Sequence, residues 1–265
     1  MLKAILYYIL LIAEFFVTLA IGGFLLGLYL SFCFQKEEIS SKTALISEST
    51  PVVTAFCILS MLVVWFTFHK AKFSKFTLGK VRREAKWQAM LYASLPIFGF
   101  TMAYYAMMSL FHIHFLPKEL TDMSFIASLP FILVGSFFSA YVFYGAIQEE
   151  LIRCGKKKWV QLLTLCIMML PACVLTVSSE GDVSVEHFGV PGILSTCYAF
   201  WVYGKTRSTI VLFVVYIMSN LVPYQLALAP LPISIICAIL GLVIMVYGYF
   251  QLKRKFSLTI NQDED

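Results

Sequence analysis

The stretch that decides the fold is SFIASLPFILVGSFFSAYVFYGAIQEELIRCGKKKWV, residues 124–160. Its apolar part, residues 124–147, leads through one glutamine into the adjacent Glu149 and Glu150. An arginine, a glycine and three lysines then follow. A helix of about 20 apolar residues can cross the hydrocarbon core of a bilayer. The stretch therefore predicts a membrane-spanning helix that carries two glutamates at its polar end.

The composition excludes an ordinary soluble protein. Of the 265 residues, 60% are hydrophobic and 13% are charged, whereas soluble domains carry about 25% charged residues. A chain with so few charges could not cover a water-facing surface, so lipid must be its solvent. We therefore expect residues 1–265 to form a single integral membrane domain. The net charge of +5 does not indicate nucleic-acid binding, because the basic residues lie in short loops between apolar stretches.

The apolar stretches predict an all-α polytopic membrane protein, a bundle of about eight transmembrane helices. The spans are roughly 4–33, 51–68, 88–111, 124–149, 159–178, 188–203, 208–222 and 226–250. Cytoplasmic loops are enriched in Lys and Arg. With the N-terminus inside, every basic residue except Lys36, Lys42 and Lys118 falls on the cytoplasmic side. This distribution predicts an N-in, C-in topology.

The seven cysteines are scattered and form no CxxC pair. Free cysteine behaves as a small hydrophobic side chain, so we expect the cysteines to fill space in helices rather than to form disulfides or bind metal. The sequence predicts no cofactor and no metal site.

Polar residues at membrane depth are functional candidates because they are costly unless they are paired. Glu149 ends the fourth predicted span, and Tyr216 and Asn220 lie one helical turn apart in the seventh. These three side chains are predicted to converge in one cavity open to the cytoplasm. Glu149 and Arg153 are also spaced for an i,i+4 salt bridge. The alternative is that this pair only caps a helix end and that Asn220 only hydrogen-bonds a neighbouring helix.

Two motifs resemble those of the CAAX-protease and bacteriocin-processing (CPBP, or Abi) family of intramembrane proteases. EELIRCG (149–155) is similar to the family's Glu-Glu-x-x-x-Arg motif at the end of a fourth helix. VYGKTRSTIVLFVVYIMSNLV (202–222) is similar to its last motif region, where a Thr/Ser-containing turn leads into a helix ending His-x-x-x-Asn. The resemblance covers about 124–222.

The resemblance implies an intramembrane glutamic endopeptidase without a cofactor. Glu149 would be the base that activates water, and Glu150 and Arg153 would orient it. Tyr216 and Asn220 would donate hydrogen bonds to the developing oxyanion.

The chain also departs from the family pattern at three positions. The motif arginine falls on Cys154, with Arg153 one position early, and the final histidine falls on Tyr216. The middle histidine has no equivalent in residues 159–179, which leaves His187 as the candidate. The predicted topology places His187 on the outer side, far from Glu149.

Three functions stay open at this point. The first is an endopeptidase that cuts a peptide or a membrane-embedded substrate. The second is a family member that no longer cuts and instead binds a membrane partner or peptide, as in bacteriocin self-immunity, export or regulation. The third is a small-molecule transporter that uses Glu14 in the first span. Membrane lipid is the expected surrounding, and the family resemblance implies a bacterial plasma membrane.

Overall fold

The computed structural model describes residues 2–3, 5–10, 12–14, 17, 21, 42–70, 72, 75–111, 125–177, 185–222 and 224–260. Within these ranges every regular element is a helix, and one isolated bridge joins Val81 to Ile260. The predicted all-helical architecture is confirmed to this extent.

Each α-helix of the described ranges overlaps a predicted apolar stretch, and the short helix Glu149–Arg153 begins where the fourth ends. They are α1 (Lys42–Lys70), α2 (Lys86–Leu110), α3 (Phe125–Phe138), α4 (Glu149–Arg153), α5 (Lys158–Val177), α6 (Val185–Thr206), α7 (Thr209–Asn220) and α8 (Leu231–Lys255). A π-helix, Ser139–Gln148, joins α3 to α4, and short 3₁₀ helices cover Tyr224–Leu228 and Phe256–Thr259. Of the first predicted span, the described residues 5–10 and 12–14 are helical. The count of eight spans stays a prediction.

Three helical stretches in the described ranges are long and apolar enough to cross a membrane: Arg83–Leu110, Thr209–Leu228 and Leu231–Thr259. The outer face of α8 is a row of exposed apolar side chains: Ile235, Ile236, Ile239, Leu240, Val243, Val246 and Phe250. Soluble monomers rarely expose so large an apolar patch. This face fits lipid as its surrounding, as expected of a membrane protein.

The basic segments between helices gather at one end of the bundle. Residues 75–81 contact the turn between α6 and α7, and the Arg82 backbone N–H donates to the Thr259 carbonyl beyond α8 at 3.0 Å. Trp87 and Trp159 lie at this end and are 71% and 64% exposed. Exposed tryptophans beside lysines are typical of the membrane–water interface. That this end faces the cytoplasm stays a prediction.

Helices α2 and α8 pack antiparallel at very close range. A Cβ added at Gly99 would lie 2.4 Å from the Met245 backbone nitrogen, and one at Gly241 would lie 2.6 Å from the Ala103 nitrogen. A Cβ at Gly248 would lie 2.9 Å from the Pro96 nitrogen. Small residues allow backbones to approach in membrane helix pairs, where van der Waals packing drives association. The close crossing of α2 and α8 therefore requires glycine at these three positions.

The π-helix changes the register of the segment that carries the glutamates. The Glu149 backbone N–H donates to the carbonyls of Tyr144 and Ala146, and the bond to Tyr144 is the i→i−5 pattern of a π-helix. In an α-helix, residues five apart are separated by about 140° around the axis. The wider turn brings Tyr144 and Glu149 onto one face, and both contact Tyr203 of α6.

Candidate functional site

Glu149 is the centre of a charged cluster at the basic end. Its Oε2 accepts hydrogen bonds from Arg207 Nη1 at 3.0 Å and from the Tyr203 hydroxyl at 3.1 Å. Its Oε1 lies 3.6 Å from Arg153 Nε, which is the i,i+4 contact that the spacing makes available. Oε2 therefore has two hydrogen-bond donors, and Oε1 has one guanidinium beside it.

The two arginines differ in how firmly they hold Glu149. The Arg207 side chain is 30% exposed and reaches the carboxylate from the turn between α6 and α7, whereas the Arg153 side chain is 61% exposed. Charge-assisted hydrogen bonds at 2.7–2.9 Å are strong, and a contact between exposed charges at a longer distance contributes little. Arg207 is therefore the principal partner of Glu149, whereas the resemblance to the family motif indicated Arg153.

Arg207 is presented by a turn with an uncommon backbone. Its φ is 50°, a left-handed conformation that few non-glycine residues adopt. Its backbone N–H still donates to the Tyr203 carbonyl at 2.7 Å, which closes the last turn of α6. Ser208 then caps α7 by accepting from the Val211 backbone N–H at 3.2 Å.

A strap, residues 75–81, holds this turn from outside. Thr77 donates its backbone N–H to Thr209 Oγ1 at 2.8 Å and accepts from Ser208 Oγ at 3.0 Å. Thr209 Oγ1 also donates to the Lys75 carbonyl at 3.0 Å. Ser208 and Thr209 of the turn thus hydrogen-bond to the backbone of the strap.

The strap comes closest to the turn at Gly79. Gly79 has φ +59°, and an added Cβ would lie 2.2 Å from the Arg207 carbonyl oxygen. The next strap residue, Lys80, donates its backbone N–H to the Thr206 carbonyl at 2.7 Å. The position of Arg207, and through it the pairing of Glu149, depends on this glycine contact.

A pair of tyrosine hydroxyls joins the π-helix to α7. Tyr144 and Tyr216 share a hydrogen bond of 3.0 Å, and the Tyr144 hydroxyl lies 3.3 Å from the Thr196 carbonyl of α6. The Tyr144 ring also lies 6.0 Å from the ring of Tyr203. Contacts between neighbouring side chains therefore connect Tyr216 to Glu149, but the Tyr216 hydroxyl is paired with Tyr144.

Asn220 and Glu150 make mainly local contacts. Asn220 Nδ2 donates to the Tyr216 carbonyl of its own helix at 2.9 Å, so its amide is directed at the backbone one turn earlier. Glu150 Oε1 accepts a long contact of 3.8 Å from Cys154 Sγ. Glu150 and Arg153 also interact electrostatically with Tyr7 of the helical residues 5–10.

His187 lies in the first turn of α6, which begins at Val185 instead of the predicted residue 188. Tyr203, which donates to Glu149, lies near the other end of this helix. The rise between His187 and Tyr203 is about 24 Å. The side chain of His187 lies outside the described residues, but this axial separation is far beyond the reach of one water molecule.

Gln148 is the other polar residue of the segment. It is fully buried, and neither Oε1 nor Nε2 has a hydrogen-bond partner among the described residues. Buried amides are almost always hydrogen-bonded. Within the core, this amide is therefore free to bond to an enclosed water molecule.

The motif comparison missed Tyr144, Tyr203 and Arg207. Arg207 carries a signal, because it is a cation in a two-residue break between apolar helices. The tyrosines carry none, since aromatic residues are common in apolar helices.

Glu14, the transport candidate, hydrogen-bonds to Thr67 of α1. In the described part of the chain, no three His, Cys, Asp and Glu residues come together as a metal site.

Replacing Arg207 with glutamine should destabilise the protein more than replacing Arg153 with glutamine. We expect a loss of about 1–2 kcal/mol for Arg207→Gln, because it leaves a largely buried carboxylate without its main partner. The matched Arg153→Gln change should cost at most about 0.5 kcal/mol. SDS unfolding in mixed micelles measures both, and Glu149→Gln in each background gives the coupling energies. Equal losses for the two arginines would contradict the assignment.

No protein-family model, curated protein sequence or solved structure matches this chain.

Proposed function

We propose that this chain is a multi-pass membrane protein with a CPBP-like helical core that binds a membrane partner or peptide without hydrolysing it. In this proposal Glu149 is a structural anchor for α6 and α7, and the basic end faces the cytoplasm of a bacterial plasma membrane. The observation that carries the proposal is the engagement of Glu149 Oε2 by Arg207 and Tyr203, with the Arg153 guanidinium 3.6 Å from Oε1.

A general base needs a free lone pair within hydrogen-bond reach of the water that it deprotonates. On Glu149, two donors converge on Oε2 and a guanidinium lies beside Oε1. Each partner competes with a water molecule for these lone pairs. The family's second water-activating group is a histidine, and His187 lies about 24 Å along α6 from Tyr203, the residue of α6 that contacts Glu149.

The groups that would stabilise an oxyanion are also engaged. The Tyr216 hydroxyl is paired with Tyr144, and the Asn220 amide donates to a backbone carbonyl of its own helix. Donors for an oxyanion must be preorganised toward the reacting atom. Gln148 also has a buried donor and acceptor without a partner in the described residues, but its fully buried side chain is closed to a bound chain.

An active endopeptidase is the second candidate. The Glu149 side chain is 28% exposed, so water can reach it. Catalytic hydrogen bonds can also tighten only when substrate is bound. In this alternative, Glu149 would exchange a donor for water, and Tyr216 would turn from Tyr144 toward the substrate.

Peptide-end profiling of cells that express the wild type or a variant separates the two functions. Because Glu149→Gln weakens an anchor, Glu150→Gln serves as the second variant, since its contacts are weaker. Under the binding proposal, both variants leave the set of peptide ends unchanged, and proteins crosslinked to the wild type are also crosslinked to Glu150→Gln.

The exposed Glu84→Gln change is the matched control for loss of one acidic group. If specific peptide ends disappear with both Glu149→Gln and Glu150→Gln but not with Glu84→Gln, while the variants remain folded in membranes, the chain is an endopeptidase.

A further inference from the structure

Two cysteines from neighbouring helices meet beside the tyrosine pair. Cys166 lies on α5 and Cys197 on α6, and the two thiols are hydrogen-bonded to each other. Both are free and partly exposed. Their contact is not explained by the expectation that the cysteines only fill space.

The register of the helices accounts for this contact. Helices α5 and α6 are consecutive and pack against each other. Cys166 lies about 17 Å of helical rise before the last residue of α5, and Cys197 lies about 18 Å after the first residue of α6. Residues at equal distances from the connection of an antiparallel helical pair lie at similar levels. The helix bounds therefore agree with the contact between the two cysteines.

The Tyr144 hydroxyl interacts electrostatically with both thiols. Tyr144 also contacts the carbonyl of Thr196, the residue before Cys197, and pairs with Tyr216. A covalent link between the thiols would therefore fix α5 and α6 next to the hydrogen bond that joins the π-helix to α7.

We propose that Cys166 and Cys197 form a proximal dithiol that is reversibly oxidised to a disulfide by a membrane-permeant two-electron oxidant, such as a peroxide or an azodicarboxamide. In this step both S–H bonds break, one S–S bond forms, and the oxidant accepts two electrons and two protons. A peroxide leaves as water and an azodicarboxamide as the corresponding hydrazine. Thiols as reductant reverse the reaction by exchange through a mixed disulfide.

The test uses the full-length wild-type protein in its membrane, treated with diamide and then with a thiol-alkylating reagent after denaturation. The region between Lys158 and Lys205 contains no Lys or Arg, so trypsin alone leaves both cysteines on one peptide. Cyanogen bromide cleavage at Met168 and Met169, followed by trypsin, separates Cys166 on residues 159–168 from Cys173 and Cys197 on residues 170–205. Mass spectrometry without reductant then detects the linked pair.

We expect diamide to join these two peptides and to lower alkylation of Cys166 at least fivefold, with full recovery after dithiothreitol. The link should persist in Cys173→Ser and disappear in Cys197→Ser, while the exposed Cys154 stays alkylated in all three. Failure of the wild type to form the link, with Cys166 and Cys197 both alkylated after diamide, would overturn the proposal. A link that persists in Cys197→Ser but is lost in Cys173→Ser would overturn it as well. Neither outcome bears on whether the chain cleaves peptides.

Discussion

Alanine at position 79 is expected to destabilise the protein by more than about 3 kcal/mol, which places it among the severe single substitutions. Two costs add at this residue. The φ of +59° is a left-handed conformation that a Cβ disfavours by about 1–2 kcal/mol. In addition, the new Cβ would lie 2.2 Å from the Arg207 carbonyl oxygen and 2.4 Å from the Thr206 oxygen. These are backbone atoms, so relief requires the strap to leave the turn.

Gly155 provides the matched control, because it separates the two costs. Its φ is +64°, nearly the same as that of Gly79, but an added Cβ would have no neighbour within 4 Å. Gly155→Ala should therefore cost only about 1–2 kcal/mol, the conformational part. SDS unfolding of the purified protein compares the two variants directly. If they lose the same stability, the strap does not hold the turn as tightly as the geometry indicates.

Alanine at Gly99 or Gly241 should also cause a large loss of stability, on the order of 3 kcal/mol or more. In a helix interior, Gly→Ala normally favours folding by about 1 kcal/mol. At these two positions the added Cβ would lie 2.4 Å and 2.6 Å from backbone nitrogens of the facing helix. Because α2 and α8 would have to move apart along the crossing, the loss of packing outweighs the gain in propensity.

Gly135 in α3 is the control for this prediction. An added Cβ there has no neighbour within 4 Å, so Gly135→Ala should be neutral or slightly stabilising. Replacing glycine with alanine is thus expected to destabilise the protein in α2 and α8 but not in α3. Thermal unfolding in detergent measures it, and a neutral result at Gly99 and Gly241 would show that the two helices are not in close backbone contact.

The apolar stretches and their polar ends were predictable because each is a local property of the sequence. The break at residues 154–157 and the turn at 207–208 both appear where charge interrupts an apolar run. The Glu149–Arg153 contact also follows from local spacing. The orientation in the membrane and the eight-span count stay predictions.

The pairing of Glu149 with Arg207 was not predictable in the same way. These residues are 58 positions apart, and no local pattern indicates which cation of the basic end reaches the acid. The π-helix was hidden as well, because the templates for apolar periodicity assume 3.6 residues per turn. As a result, the tyrosine five residues before Glu149 was not recognised as its neighbour on one face.

The strap has a consequence for the order of events during synthesis of the chain. Thr77 leaves the ribosome 132 residues ahead of its partner Thr209. At a translation rate of 5–20 residues per second, this delay is on the order of 10 s. Glu149 is likewise synthesised 58 residues before Arg207, so its carboxylate lacks this partner until the turn is made. The contacts of the strap and of Glu149 with this turn therefore form only after the turn is synthesised.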